Sequence, residues 1–194
     1  MTNEFAEIPI DDLYDSENPL VPGRLCGTCM LCCKVMTVDE LKKPSGTMCS
    51  HAVIGKGCSI RERRPRSCRT FFCGWRLDPN IDSMWKPEIS GFLLTISFKY
   101  ASMLVMVDPD RPSAWKVQPY YGRLKEWSAR AFPEDKRIVA IVRGEATVLL
   151  PDRDVPIGVL GPQDEILLAR TAAGYNAVKR HRPQAVPTGG APIR

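Results

Sequence analysis

The sequence lacks several features that define common classes of protein, and each absence argues against one of those classes. No apolar run approaches the ~20 residues that a membrane-spanning helix needs. No Lys or Arg precedes Arg24, whereas a secretory signal starts with basic residues followed by an apolar stretch. The sequence also contains no Gly-rich phosphate loop, no dinucleotide fingerprint and no paired-histidine metal motif. We therefore expect a cytoplasmic protein that does not use a membrane.

Cysteine is abundant in one short part of the chain. All eight cysteines fall within residues 26–73, in a sequence of ordinary composition with 44% hydrophobic and 25% charged residues. In a secreted chain they could form four disulfide bonds, but cytosolic reductants keep thiols reduced. Clustered cysteines in the cytosol are more often metal ligands or redox centres. The predicted metal ligands are Cys26, Cys29, Cys32, Cys33, Cys49, Cys58, Cys68 and Cys73.

The first four cysteines form the run CGTCMLCC, which allows two arrangements. If residues 26–33 were helical, the side chains of Cys26, Cys29 and Cys33 would lie on one face, because successive residues are about 100° apart. A turn would instead bring Cys26, Cys29 and Cys32 together, as in the CxxCxxC run of bacterial ferredoxins. The spacing alone leaves both arrangements open.

Eight sulfurs suit two four-coordinate sites, or one cluster and one mononuclear site, with zinc or an iron–sulfur cluster as the metal. Two such sites would carry a charge of about −4, which requires nearby cations or amide donors. Residues 61–69 hold five arginines and one glutamate. These arginines either serve the metal site or form a solvated basic face, and the absence of finger-type spacing argues against nucleic acid. His51 is an alternative ligand, although a lone histidine is more often a surface residue.

The rest of the chain predicts a small α+β unit. Phe92 to Phe98 alternate as a strand, and further strands are expected at Ser102–Val107, Arg137–Val142 and Ala146–Leu150, with a hairpin turn at Gly144–Glu145. Helices are predicted over residues 120–131 and over Pro162–Ala173, where a proline and two acidic residues precede a stop at Gly174.

These signals divide the chain into five parts. We expect an acidic extended leader over residues 1–23 and a cysteine-cluster segment over 24–76, followed by a linker or covering loop over 77–90. A small α+β scaffold follows over 91–180, and a disordered tail that includes His181 over 181–194. The predicted fold class is α+β, with the cysteine segment packed on a unit of short antiparallel strands and two or more helices.

The cysteine segment resembles a known family. CGTCMLCC, followed by Cys49, GKGCSI and RRPRSCRTFFCGW, is similar to the YkgJ-type CxxCxxCC proteins, which are described as zinc- or iron-chelating. The similarity covers about residues 26–75. It implies metal binding by all eight cysteines, and it makes Arg64 and Arg69 the best candidates for arginines that contact the thiolates. Arg61 departs from the pattern, which commonly has Tyr at that position.

Three functions are compatible with a cysteine cluster. A metal-stabilised accessory or structural module without catalysis is favoured, because sites with four cysteine ligands are closed. The alternatives are a redox or iron–sulfur enzyme and a metal-delivery protein. No His, Glu or Asp close to the cysteines in sequence stands out as an acid–base partner, so catalytic residues, substrate and partner protein stay open.

Overall fold

Five α-helices and nine strands make up the regular structure of residues 20–97, 102–161 and 163–182, which are the residues that the computed structural model describes. The helices are α1 (Leu31–Val35), α2 (Arg66–Thr70), α3 (Gly74–Leu77), α4 (Pro87–Ser90) and α5 (Tyr120–Ala131). The strands are β1 (Ala52–Val53), β2 (Gly57–Cys58), β3 (Phe92–Ser97), β4 (Ser102–Val107), β5 (Arg137–Val142), β6 (Glu145–Leu149), β7 (Asp154–Val159), β8 (Asp164–Thr171) and β9 (Gly174–His181). The expected α+β class is confirmed.

A five-stranded sheet with the order β3-β4-β5-β6-β7 forms the centre of the fold. Its neighbours are antiparallel except for β4 and β5, which are parallel and joined by a connection that contains α5. Parallel neighbours need such a crossover, because a tight turn can only reverse the chain. Two small antiparallel pairs, β1-β2 and β8-β9, complete the strands.

The two faces of the sheet pack against different elements. The first face is covered by α5 and an aromatic cluster, and it carries Phe92, Leu94, Val105, Val107, Ile138, Ala140 and Leu149. On the opposite face, Val139, Ala146 and Val148 pack against the β8-β9 hairpin, while Leu93 packs against α1. Side chains alternate between faces along a strand, so neighbouring residues of β3 join different clusters.

The cysteine segment is attached to the sheet at the β3 and β4 end. Leu31 and Val35 of α1 form one apolar cluster with Leu93, which is only 1% exposed. Beside them, the Lys34 ammonium lies 2.6 Å from a carboxylate oxygen of Asp108, just after β4. Apolar burial and a partly buried ion pair therefore hold the segment on the sheet.

Several elements match their sequence-based prediction. Helix α5 spans residues 120–131, and β4 and β5 have the predicted bounds. The hairpin turn before β6 lies one residue earlier than expected, at Arg143 and Gly144, because Val142 pairs with Glu145. Both turn residues have positive φ, +52° and +85°, as a two-residue type I′ turn requires.

The helix predicted over Pro162–Ala173 is wrong. Its residues Asp164–Thr171 form β8, and Gly174 begins β9 with φ +111° instead of ending a helix. The structural reason is a period of two, since Ile166 is buried and Leu168 packs in the same cluster against the sheet. Pairing with β9 satisfies the backbone groups that a helix would have satisfied internally.

The remaining predicted parts are located as follows. Residues 77–90 contain a 3-10 turn (Ser83–Trp85) and α4, and the side chains of Ile81 and Trp85 are buried in the core. Most of the expected leader (residues 1–19) and of the expected tail (residues 183–194) lies outside the described residues. In the part of the chain that the structure describes, no helix is long and apolar enough to cross a membrane.

Candidate metal centre

The first four cysteines lie on a tight turn and on the helix that follows it. A 2.9 Å hydrogen bond from the backbone N–H of Cys29 to the carbonyl of Cys26 closes the turn. Inside it, Gly27 has φ +55°, a left-handed conformation that glycine adopts without steric cost. Because α1 begins after this turn, the residues from Cys26 to Cys29 are not helical, as in the turn alternative. Cys32 and Cys33 are consecutive helical residues, which project about 100° apart.

Cys49, Cys58 and Cys68 come from three elements that follow α1. The backbone N–H of Cys49 donates a 2.9 Å hydrogen bond to the carbonyl of Cys33. Cys58 lies opposite Ala52 in the β1-β2 hairpin, and the N–H of Ala52 donates to the carbonyl of Cys49. Cys68 lies in the middle of α2. A chain of backbone contacts therefore connects Cys33, Cys49 and Cys58.

Cys73 directly precedes α3, and the beginning of the described chain is fastened to that helix. The N–H of Val21 donates to the carbonyl of Arg76 at 2.9 Å, and the Arg76 guanidinium donates to the carbonyl of Arg24 at 3.0 Å. The same guanidinium lies 3.5 Å from the sulfur of Cys26, while the backbone N–H of Arg76 donates a 2.8 Å hydrogen bond to the carbonyl of Cys73. Arg76 thus lies between two cysteines that are far apart in sequence.

Seven of the eight cysteines line one cavity of about 300 Å³. Its polar lining also includes His51, Arg61 and Arg64, and its apolar lining includes Met36, Val38, Leu41, Ile60 and Phe71. Cys73, the eighth cysteine, packs beside Cys29 and Cys32 against the Leu93 cluster. The cysteine side chains therefore surround a space that is enclosed by apolar residues and bordered by cations.

The thiols of Cys26, Cys29, Cys32 and Cys73 influence one another electrostatically. Burial raises the pKa of Cys29 and raises the pKa of Cys73 to about 11, and the charge of Cys26 adds to both increases. A hydrogen bond to Cys33 and burial raise the pKa of Cys32, with a further contribution from Cys26 and Cys29. These four sulfurs are close enough that ionising one disfavours ionising the others.

A second set of interactions connects Cys33, Cys49 and Cys68. Burial, followed by the charges of Cys33 and Cys49, raises the pKa of Cys68. The hydrogen bond donated by Cys32 lowers the pKa of Cys33 to about 7, and the positive charges of Lys43 and Arg64 also lower it. Cys33 therefore lies where a thiolate is stabilised, next to a neutral neighbour on the same helix.

Lys43 is a buried cation that the sequence did not single out. Its side chain is 6% exposed, and its ammonium donates hydrogen bonds to the carbonyls of Lys34, Met36 and Pro44. Loss of hydration lowers its pKa, whereas the nearby charge of Cys49 and of other cysteines raises it. Residues 34–44 thus hold the buried Lys43 ammonium, hydrogen-bonded to carbonyls, close to the thiols.

The two arginines that the family resemblance implies as thiolate contacts, Arg64 and Arg69, lie in different surroundings. Arg64 is half-buried at the cavity, donates a 3.0 Å hydrogen bond to the carbonyl of Arg61, and stabilises the thiolate of Cys33. Arg69 is exposed on α2. The guanidinium that contacts a cysteine sulfur belongs to Arg76, which follows the motif region.

Glu88 is an acidic residue beside the cysteines that sequence spacing could not reveal. Burial raises the pKa of the Cys29 thiol, and the carboxylate charge of Glu88 raises it further, whereas the backbone amides of Leu31 and Glu88 act to lower it. The carboxylate accepts a 3.3 Å hydrogen bond from the Thr28 hydroxyl and pairs with Lys86. Residues 77–90 therefore reach the first cysteine turn.

All eight cysteines lie in the described range 20–97, and none of them forms a disulfide bond. In the described ranges, no three His, Cys, Asp or Glu side chains are close enough to form a ready-made ion site.

No family model, curated protein or solved structure matches the chain.

Of the two histidines, only His51 is near the cysteines. It is half-buried at the cavity, and its carbonyl accepts a 2.9 Å hydrogen bond from the N–H of Ser59. His181 is the last residue of β9, where its Nδ1 lies 3.0 Å from a carboxylate oxygen of Asp164. The donor set around the cavity is accordingly dominated by sulfur, the ligand type that zinc, copper(I) and iron–sulfur clusters prefer.

Proposed function

We propose that the chain binds zinc or an iron–sulfur cluster through its eight cysteines and serves as an accessory or structural module. The observation that carries this proposal is the convergence of seven free cysteines on one cavity, with the eighth packed beside them. The proposal includes membership of the YkgJ-type family, which rests on residues 26–75, and a location in the reducing cytoplasm.

The interactions among the thiols favour two groups of four ligands. We assign Cys26, Cys29, Cys32 and Cys73 to the first group, because the charge of Cys26 acts on the other three and that of Cys29 acts on Cys32 and Cys73; Cys32 also interacts strongly with its chain neighbour Cys33. We assign Cys33, Cys49, Cys58 and Cys68 to the second group, because of the shared charge interactions and the backbone contacts through the β1-β2 hairpin. Neighbouring positions on α1 suit this division, since Cys32 and Cys33 project in different directions.

The surroundings of both groups suit bound thiolates. Each group of four would hold a charge of about −2 with a divalent ion, which amide donors and cations must offset. In the first group, nearby backbone amides act to lower the pKa of Cys29 and of Cys73 against the effect of burial, and the Arg76 guanidinium lies 3.5 Å from the sulfur of Cys26. In the second group, Lys43 and Arg64 supply the positive charge.

A structural role follows from the chemistry of the proposed sites. Four cysteine ligands close a zinc site, leaving no position for substrate, and metal binding contributes directly to folding free energy. The partial exposure of the cysteines also leaves the alternative functions open, because accessible thiols would allow metal exchange or redox chemistry. In that case the chain would be a redox or iron–sulfur enzyme, or a metal-delivery protein.

The first test measures metal and colour in protein purified without oxygen. Elemental analysis is combined with a visible absorption spectrum and an assay for acid-labile sulfide. Two zinc ions in a colourless protein would support the structural role, whereas iron and sulfide with a broad band in the blue would support the cluster-bearing alternative. Protein that contains no metal after anaerobic purification and does not take up zinc or iron would refute the proposal.

The second test examines the grouping with serine variants. If Cys26 and Cys73 hold the same ion, the double variant Cys26→Ser/Cys73→Ser should lose no more metal than either single variant, because residues of one site are not additive. The double variant Cys26→Ser/Cys68→Ser should lose both ions. His51→Ala is the matched control and should keep its metal. Equal losses from both double variants would contradict the two groups.

A further inference from the structure

The two groups of cysteines are attached to the rest of the protein in different ways. In the first group, Cys29, Cys32 and Cys73 pack against the Leu93 cluster on the sheet. Helix α3, which follows Cys73, carries Trp75, and this side chain is 8% exposed and belongs to the apolar cluster on the α5 face of the sheet. Most of the first group therefore lies on the hydrophobic core of the protein, where apolar burial resists opening.

Two arginines connect the ends of the first group. The Arg24 guanidinium donates hydrogen bonds to the carbonyls of Trp75 and Asp78 and lies over the Trp75 ring, 5.4 Å from its centroid. In the opposite direction, the Arg76 guanidinium donates to the carbonyl of Arg24 at 3.0 Å and lies 3.5 Å from the sulfur of Cys26. Each arginine thus binds the stretch of chain that carries the other, and this reciprocal contact holds Cys26 beside α3.

The second group lies mostly in a segment that has almost no apolar core. We define the outer segment as residues 49–70, all of which the structure describes and which carry three of the four cysteines of the second group. Gly57 is the one buried residue of the outer segment, and no side chain of the segment belongs to an apolar cluster of the described chain. Its apolar residues Val53 and Ile54 are 40% and 90% exposed. Apolar burial therefore contributes little to holding this segment in place.

Few hydrogen bonds join the outer segment to its neighbours. The N–H of Cys49 donates to the carbonyl of Cys33 at 2.9 Å, and the carboxylate of Glu40 accepts bonds of 3.1 and 2.7 Å from the N–H and the hydroxyl of Ser67 at an exposed position. In the part of the chain that the structure describes, no ion pair involves the outer segment. Segments with few apolar contacts and exposed hydrogen bonds are the first to open by local unfolding.

We propose that the first group holds a permanent metal ion and the second group an exchangeable one, because the outer segment opens while the first group stays folded. This inference rests on the proposed function, since it requires that both groups bind metal. Opening of the outer segment removes three of the four ligands of the second group together, so its ion passes to a competing ligand. Release of the ion of the first group also requires the Leu93 cluster and the reciprocal arginine contact to open. The chain thus combines a structural metal with one that is available for transfer.

The first experiment measures how fast zinc leaves the full chain after it has been loaded with two zinc ions in the absence of oxygen. The chromophoric chelator pyridylazoresorcinol is added in excess, and its absorbance reports the zinc released. We expect one ion to leave at least about tenfold faster than the other, because only the slow ion requires apolar contacts to open.

Three variants assign the two ions to the two groups. Cys68→Ser should lose the ion that leaves quickly and keep the slow one. Arg76→Gln should speed up the slow release alone, because it removes the guanidinium that joins Arg24 to Cys26. Arg63→Gln is the matched control, since Arg63 is an exposed arginine of the outer segment, and it should leave both rates unchanged.

Hydrogen exchange followed by mass spectrometry locates the opening in the chain. When the first ion has been withdrawn, the amides of residues 49–70 should exchange faster, whereas those of residues 26–36 and 73–78 should keep their protection. The amides of β4 and β5 serve as the internal reference, so that general unfolding of a variant is distinguished from local opening.

Two ions that leave at the same rate would overturn this inference and leave the proposed function intact. The same holds for a chain that binds one ion in all, for a loss of protection that begins in residues 26–36, and for a fast ion that persists in Cys68→Ser. Protein that binds no zinc and no iron would overturn the proposed function and this inference with it.

Discussion

Replacing Leu93 by Ala tests whether the sheet positions the cysteines. Leu93 is 1% exposed and contacts Leu31 and Val35 of α1, in a cluster against which Cys29 and Cys73 also pack. Its neighbours on β3 face the opposite side of the sheet. The substitution therefore removes apolar contact from the interface between the sheet and the cysteine segment.

The expected loss of stability follows from the groups removed. Leu→Ala deletes three carbon groups, worth about 0.8 kcal/mol each, and leaves a cavity that adds to the cost. Because one wall of that cavity is the five-residue helix α1, which can move inward, we expect a total near the lower end of the observed range, about 3 kcal/mol. For a chain of this size that corresponds to a fall in Tm of about 6–12 °C.

The assay combines urea denaturation with the rate at which iodoacetamide alkylates the thiols of the folded protein. Leu149→Ala is the matched control, because Leu149 is also 1% exposed but packs on the α5 face of the sheet. Both variants should lose comparable stability, and only Leu93→Ala should speed up alkylation. Equal alkylation rates in the two variants would refute the idea that this interface positions the cysteines.

Three further predictions concern separate parts of the molecule. Removing metal with a chelator should make residues 24–76 sensitive to protease while the central sheet persists, because metal binding contributes to folding, and unchanged resistance would contradict this. Lys43→Met should lower the free energy of unfolding by about 1–3 kcal/mol, since buried carbonyls lose their donor, whereas exposed Lys42→Met should not. The pKa of Asp164 is lowered by the N–H of Gly161 and by His181, so the ionised carboxylate stabilises the folded state. This contribution to the free energy of unfolding should be present above about pH 4, and it should vanish as the pH falls through the folded-state pKa. Denaturation of Asp164→Asn between pH 2 and 6 should show a weaker dependence on pH than the parent.

The sequence predicted the elements whose signals are local. Helix α5 has apolar residues at helical spacing, and β4 and β5 are short apolar runs between clear turns. The segment over Pro162–Ala173 failed because proline, acidic residues and a later glycine are helix signals that also suit a strand leading into a hairpin. Strand β7 was not predicted, and it contains Pro156, which a strand tolerates when it lies at the edge of the sheet, as β7 does.

The cations near the cysteines could not be predicted from sequence in the same way. Arg64 and Arg69 were chosen because they lie among the cysteines in the chain and match the pattern of the YkgJ-type sequences that the segment resembles. The contact between Arg76 and Cys26 joins residues fifty positions apart, and Lys43 reaches the thiols because residues 34–44 fold back around its ammonium. Glu88 reaches Cys29 only because residues 77–90 fold over the first turn.

By itself, the sequence determined the chemistry available to this protein: eight thiols in fewer than fifty residues, an arginine-rich stretch among them and an acidic stretch before them. These properties are carried by residue type and spacing, which no fold can change. The tertiary structure decided which distant thiols are neighbours, since Cys26 acts on Cys73, which lies forty-seven positions later, and the charges of Cys33 and Cys49 act on Cys68. The physical reason is that electrostatic interactions and hydrogen bonds depend on distance in space, and packing on Leu93 and the sheet sets that distance.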